Sequence, residues 1–161
     1  MHVFIKYWMP LLIWLCVVFL NSTDLMSAEH TSRFILPILY WLKPGISPRT
    51  ILLILTVIRK CAHVTEFAIL AVLLFRAVIS VAGAKWPVWM LFACVWIGCL
   101  FVAITDEFHQ SFVKSRTPSV RDVLLDGAGA LFGLLIGVGF AQRDSKKVRS
   151  TARNDVVNAR L

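Results

Sequence analysis

Charged residues are scarce in this chain of 161 residues, of which only 16% are Asp, Glu, Lys or Arg. A soluble globular domain averages about 25%. Hydrophobic residues make up 58% of the chain, and its mean hydropathy is +0.76. This composition excludes an ordinary soluble protein and indicates a membrane protein, while the length suits a single domain.

Cysteine pairs with C-x-x-C spacing are absent, although four cysteines are present at positions 16, 61, 94 and 99. All four lie in apolar stretches, so they are predicted to be small buried hydrophobes without a disulfide or zinc role. The formal net charge of +8 raises the alternative of nucleic acid. However, the densest basic run, residues 143–160, directly follows an apolar segment. We therefore expect no nucleic-acid partner.

Long apolar runs dominate what is present. A helix needs about 20 apolar residues to cross a bilayer, because backbone groups cannot bond to lipid. Four stretches approach that length: 3–20, a part of 51–81, 86–105 and 123–141. They predict an all-α membrane protein with four transmembrane helices. A cleaved signal peptide is the alternative interpretation of the first run, but no clean A-x-A site follows it, so a retained anchor is favoured.

The region around the second span has two further features. Ser47-Pro48 is a favourable helix start, and no Gly or Pro follows until Gly83. A continuous helix of about 34 residues would be ~50 Å long, so its first part should protrude or lie at the membrane interface. Segment 34–42 is too short to span and contains a tyrosine and a tryptophan. It is predicted to be a short interfacial helix between the first and second spans.

Basic residues in the loops predict the orientation. The tail 142–161 carries six Lys or Arg residues, which favours the cytoplasm, and four spans then place the N-terminus there too. Segments 21–60 and 106–121 would face outward, although the first carries five basic residues against the rule. Residues 1–141 are predicted to form one transmembrane domain. The tail is predicted to be disordered and attracted to anionic lipids, or to act as a topology signal alone.

Three polar clusters interrupt the apolar sequence near the predicted outer face. They are Arg59, Lys60, His63 and Glu66; then Asp106, Glu107 and Gln110; then Arg116, Arg121, Asp122 and Asp126. Within the first cluster, Arg59, His63 and Glu66 are spaced i, i+4 and i+7 and so share one helix face. Ionisable groups inside a membrane cost ~2.5–3.5 kcal/mol each, so they usually face a partner or a cavity. Because all three clusters are predicted to lie at the same depth in the membrane, we expect them to converge on one site.

Structural explanations compete with a functional one. Glu66, Asp122 and Asp126 would then pair with arginines and hold helices together, as buried ion pairs do. The spacing of Gly129, Gly133 and Gly137 predicts close helix packing of the small-xxx-small type.

At these clusters the sequence resembles the VanZ-like family. Its members carry an R-K-x-x-H-x-x-E stretch, then D-E-x-x-Q, then a stretch from Arg through Asp and Asn or Asp to Gly. The corresponding stretches are 59–66, 106–110 and 116–129, with Asp126 at the position that is often Asn. The resemblance implies a multi-spanning membrane protein of the bacterial cytoplasmic membrane. The founding member is associated with low-level teicoplanin resistance, and glycopeptides act outside the cell, on peptidoglycan precursors.

One hypothesis is an enzyme that acts at the outer leaflet on a lipid-linked or cell-wall ligand. The predicted catalytic residues are Glu66, His63, Asp106, Glu107 and Gln110, with the acids as candidate bases and His63 as acid, base or ligand. The predicted ligand-binding residues are Arg59, Lys60, Arg116, Arg121, Asp122 and Asp126, because guanidinium forks suit phosphate and carboxylate.

Other functions use the same residues. A metal at His63, Glu66, Asp106 and Glu107 is a weaker alternative, since H-x-x-E lacks the second histidine of the known zinc motif. A module that binds an anionic lipid or precursor without chemistry, a structural scaffold and a transporter are further alternatives. Four spans leave little room for a pathway, so a transporter would require an oligomer. The sequence does not identify a cofactor; the predicted partners are membrane lipids and a lipid-linked cell-wall precursor.

Overall fold

The chain forms five α-helices in a computed structural model that describes residues 2–23, 28–82, 86–113 and 118–158, with the backbone alone for 28–31 and 140–158. A π-helical turn, Phe4–Trp8, leads directly into the first α-helix. The helices are α1 (Met9–Asn21), α2 (Ala28–Leu42), α3 (Pro48–Ala82), α4 (Val88–Gln110) and α5 (Val120–Asn158). The described ranges contain no strand.

Four helical segments are long and apolar enough to cross a membrane. They are Phe4–Asn21, Pro48–Ala82, Val88–Gln110 and Val120–Gly139, with the shorter apolar helix Ser32–Leu42 between the first two. The predicted all-α fold with four spans and one short helix is confirmed. The protein is therefore an integral membrane protein.

Helix α3 is continuous over 35 residues, a point that the sequence left open. The Ser47 side chain accepts a hydrogen bond from the Thr50 backbone N–H at 3.2 Å, and Pro48 is the first residue of the helix. At 1.5 Å per residue α3 is about 52 Å long, well beyond a hydrocarbon core of about 30 Å. Helix α2 packs against α3. The excess length of α3 therefore extends past the ends of the other spans.

The core of the bundle is the interface between α3 and α5, with α4 packed against both. Phe67, Leu70 and Leu134 are fully buried there. Two glycines of α5 bring the two backbones into contact. A Cβ added at Gly129 would lie 2.9 Å from the Val64 Cα, and one added at Gly133 would overlap the Ala68 carbonyl. The predicted close packing is confirmed at these two positions.

Only one cysteine fits the prediction of buried cysteines. Cys99 is buried, whereas Cys16, Cys61 and Cys94 are exposed on the outside of the bundle. The prediction was wrong for those three because, in a membrane span, the surface that faces lipid is as apolar as the core. An apolar run therefore gives no information about which of its residues face inward.

The tail continues α5 as a helix through residues 142–158, whereas the sequence predicts disorder over 142–161. Extending a helix that is already formed fixes only one residue for each hydrogen bond gained, and it needs no new nucleation step. Lysine, arginine and alanine, which recur in the tail, are also good helix formers.

Candidate functional site

Polar side chains from all four spans meet near one end of the bundle, where α1 and α4 end and α5 begins. We call this the polar end. Its buried part, the acidic centre, consists of His63, Glu66, Asp106 and Asp126. The three carboxyl groups interact electrostatically with one another and with the His63 imidazole. The structure thus brings together residues from α3, α4 and α5, as the convergence of the three clusters predicted.

His63 and Asp126 form the closest pair in the acidic centre. The His63 Nδ1 lies 3.4 Å from Asp126 Oδ1, and the Asp126 side chain is 0% exposed. This separation exceeds the roughly 2.7–2.9 Å of a strong charge-assisted hydrogen bond. Among the described residues, neither oxygen of Asp126 has a hydrogen-bond partner. Because a buried carboxylate needs compensation, His63 is its principal stabilising neighbour.

Glu66 is held by α1. The Asn21 Nδ2 donates a hydrogen bond to Glu66 Oε1, and the Trp14 Nε1 donates to the Glu66 backbone carbonyl at 3.0 Å. Sequence reasoning gave α1 no part in the site. Two signals were present in the sequence: Trp14 and Asn21 lie seven residues apart on one helix face, and Asn21 ends the first apolar run at the polar end.

Asp106 is buried between α4 and α1. The Gln110 Nε2 donates to Asp106 Oδ2 at 2.9 Å, and both side chains are buried one helical turn apart. From α1, the Ser22 hydroxyl faces Asp106. Within the described part of the chain, Asp106 Oδ1 has no hydrogen-bond donor. Gln110, predicted to be catalytic, therefore orients Asp106 in this structure.

Glu107 connects the end of α4 to the start of α5. Its Oε2 accepts a hydrogen bond of 2.7 Å from the backbone N–H of Ser119. The first N–H groups of a helix have no partner within the helix, and a negative charge there is favourable. The predicted role of Glu107 as a base is untested, and its geometry is that of a carboxylate that caps α5.

Three basic residues, which we call the basic rim, lie at or next to the Lys60–Asp122 pair, one helical turn from the acidic centre: Arg59, Lys60 and Arg121. Lys60 Nζ lies 2.6 Å from Asp122 Oδ1, and the two side chains are 43% and 17% exposed. Arg59 and Arg121 are each adjacent in sequence to one member of this pair. Among the described residues, neither has an ion-pair partner within 4 Å. Arg116, also predicted to bind ligand, lies outside the described residues.

Two further features bear on the alternatives. In the described ranges, no group of three or more His, Cys, Asp or Glu side chains is arranged to hold a metal ion. A separate concavity of about 440 Å³ lies along the first turns of α3, where Arg49, Thr50, Leu52, Leu53 and Thr56 line it. None of the predicted site residues lines this concavity.

These features define a class: a polytopic membrane protein with a buried ionisable centre, to which all four spans contribute directly or by hydrogen bonds, beside a basic rim. The chain belongs to the VanZ/LLP1 family, whose family model matches residues 7–141. The resemblance seen in the three sequence clusters is thereby confirmed. No protein of curated function matches the chain, and no solved structure matches it either.

Proposed function

We propose that this protein binds the anionic headgroup of a lipid or lipid-linked envelope molecule, with the basic rim as the anion contact. The observation that carries the proposal is that Arg59 and Arg121 adjoin the Lys60–Asp122 pair in sequence and have no ion-pair partner among the described residues. Guanidinium forks donate two parallel hydrogen bonds to phosphate or carboxylate, so two such side chains next to this pair suit such a headgroup.

Lys60 is available to the same ligand. An ion pair as exposed as Lys60–Asp122 contributes only about 0–1 kcal/mol. An incoming phosphate can therefore replace Asp122 as the partner of Lys60 at little cost. The rim then presents three cationic side chains from two helices, α3 and α5, to one anion.

Proton transfer to the bound ligand is a second candidate function. It is supported by the position of His63, whose Nδ1 lies 3.4 Å from Asp126 and has no hydrogen-bond partner in the described residues. Imidazole is the side chain best suited to accept and release a proton near neutral pH. His63→Gln should then leave headgroup binding intact while abolishing turnover of that ligand. Turnover that survives this change would rule out His63 as the proton carrier.

The binding proposal predicts the effect of neutralising the rim. Arg59→Gln and Arg121→Gln should each weaken binding of short-chain phosphatidylglycerol by about tenfold or more, because a charge-assisted hydrogen bond is worth about 1.5–3 kcal/mol. Titration calorimetry of the purified protein in detergent measures this. The matched control is Arg76→Gln, since Arg76 is exposed, lies on the same helix and stacks near Tyr7 away from the polar end. Unchanged binding by both rim variants would contradict the proposal.

We further propose that the polar end faces away from the cytoplasm. Lys6 and Arg76 both lie over Tyr7 at the opposite end, which is also where α5 leaves its span toward the basic tail. Positive charge of this kind favours the cytoplasmic side.

The orientation is tested by labelling single cysteines introduced after the four natural ones are replaced with alanine. Ser47→Cys, just before α3, should react with a membrane-impermeant maleimide in intact spheroplasts. Ser150→Cys, in the tail, should react only after permeabilisation. Reaction of both positions after permeabilisation is the control for accessibility, and the reverse pattern in intact spheroplasts would refute this orientation.

A further inference from the structure

The acidic centre has more hydrogen-bond acceptors than donors. Asn21 supplies one donor to Glu66, and Gln110 supplies one to Asp106. Three buried carboxylate oxygens remain without a donor among the described residues: both oxygens of Asp126 and Oδ1 of Asp106. Ser22 and His63 face these oxygens but form no hydrogen bond of good geometry with them, so the centre has acceptor capacity that the described side chains leave unfilled.

Its titratable groups are unbalanced in number in the same direction. Three carboxyl groups, of Glu66, Asp106 and Asp126, surround the single imidazole of His63. One imidazolium can balance one carboxylate, and charges inside a membrane need partners. A group that carries positive charge and several N–H donors would satisfy both requirements. A primary ammonium has this character, because it presents three donors and no acceptor.

A separate observation on α1 points to a ligand in the same place. The Ser22 hydroxyl is 2% exposed and faces Asp106, and it makes no hydrogen bond of good geometry to any described residue. Because a hydroxyl both donates and accepts, Ser22 can accept a hydrogen bond from an ammonium that the carboxyl groups attract. Ser22 thus adds a neutral acceptor from a fourth helix to the acidic centre.

The basic rim lies about one helical turn from this centre. Lys60 precedes His63 by three residues on α3, and Asp122 precedes Asp126 by four on α5. At 1.5 Å per residue these steps are about 4.5 Å along α3 and about 6 Å along α5. A short aliphatic linker between an anion and an amine spans this separation. The phosphate of such a molecule would meet the cationic rim, and its amine would meet the acidic centre.

We propose that the ligand headgroup is a phosphodiester that carries a primary amine, with its phosphate on Arg59, Lys60 and Arg121 and its ammonium among Glu66, Asp106 and Asp126. This inference rests on the proposed function, since it assigns the anion to the basic rim. It adds that the ligand also carries an ammonium group, and that the acidic centre selects the ligand by binding this group. A phospholipid headgroup and a soluble phosphoethanolamine share this chemistry.

The test compares three short-chain lipids with the purified full-length protein in detergent: phosphatidylethanolamine, its N-acetylated form and phosphatidylglycerol. Phosphatidylethanolamine should bind at least about tenfold more tightly than the N-acetylated form, which keeps the phosphate and loses the ammonium charge. Asp126→Asn and Glu66→Gln should each reduce that preference to less than about threefold, with phosphatidylglycerol binding unchanged. Arg59→Gln should weaken all three.

A matched control is Thr65→Val, because Thr65 is adjacent to Glu66, is exposed and bonds only to the Cys61 carbonyl of its own helix. This variant should keep the wild-type preference. Asp126→Asn and Glu66→Gln are both tested so that a folding defect in one variant does not prevent the measurement. Size-exclusion chromatography identifies which variants are folded.

The outcomes separate the two proposals. Equal binding of all three lipids to the wild type overturns the amine inference and leaves the anion site standing, whereas failure of every lipid to bind overturns both. Displacement of bound lipid by soluble phosphoethanolamine, but not by glycerol phosphate, supports the inference with a soluble source. Amine preference without such displacement supports it with a lipid source.

Discussion

Replacement of Gly133 with alanine is expected to lower the melting temperature of the purified protein by roughly 10 °C, which corresponds to about 3 kcal/mol for a chain of this length. The added Cβ would overlap the backbone carbonyl of Ala68 on α3. Because the obstacle is backbone, no rotamer change relieves it, and α3 and α5 must separate along the largest interface of the bundle. Thermal unfolding in detergent, monitored by circular dichroism, measures the change.

Gly139→Ala is the matched control for this prediction. Gly139 is on the same helix, and a Cβ added there would meet nothing within 4 Å. Alanine has the higher helix propensity, by about 1 kcal/mol, so this variant should be as stable as the wild type or slightly more stable. Equal melting temperatures for the two variants would show that the close approach at Gly133 does not limit stability.

Asp126→Ala is expected to destabilise the protein by about 3–5 kcal/mol, the usual result when one partner of a buried ion pair is removed. The Asp126 carboxyl is completely buried and lies 3.4 Å from the His63 Nδ1. Asp126→Asn, which keeps the volume and the hydrogen-bonding capacity, should cost less than the alanine variant. Asparagine is also a frequent residue at this position of the family motif.

The pairwise contribution is isolated by a double-mutant cycle. The His63→Ala, Asp126→Ala double variant should be more stable than the sum of the two single effects implies, by about 1–3 kcal/mol. Asp122→Ala provides the comparison one turn away on α5. Its partner Lys60 is 43% exposed, so its removal should cost less than about 1 kcal/mol. Additive effects of the two single changes would mean that His63 does not stabilise Asp126.

The helices and the polar end could be predicted because hydropathy and helical spacing are local properties of the sequence. The length of α3 followed from the absence of Gly and Pro between Pro48 and Gly83. The convergence of His63, Asp106 and Asp126 followed from counting spans, since alternate spans cross the membrane in opposite directions. The contact between α5 and α3 at Gly129 and Gly133 followed from their four-residue spacing.

Partner choice within the polar end could not be predicted, because it depends on helix rotation and distance. The structural alternative paired Glu66 and Asp126 with arginines, whereas the structure gives Glu66 the amide of Asn21 and gives Asp126 the imidazole of His63. Glu107 was a candidate general base, and in the structure its Oε2 accepts a hydrogen bond from the Ser119 backbone N–H. Each of these contacts joins two helices. Their geometry is therefore set by the packing of the whole bundle.

The order in which the chain is synthesised adds a constraint that follows from the shared acidic centre. Glu66 and Asp106 enter the bilayer before Asp126, and before the interface of α3 with α5 exists, because domains form from the N-terminus during synthesis. The free-energy cost of inserting each carboxyl group must then be offset by the apolar residues of its own helix. Helices α3 and α4 contain the two most apolar 18-residue windows of the four spans, and α5 contains the least apolar. The last helix can be the least apolar because its partners are already in place when it inserts, whereas α3 and α4, which insert their carboxyl groups before those partners exist, are the most apolar.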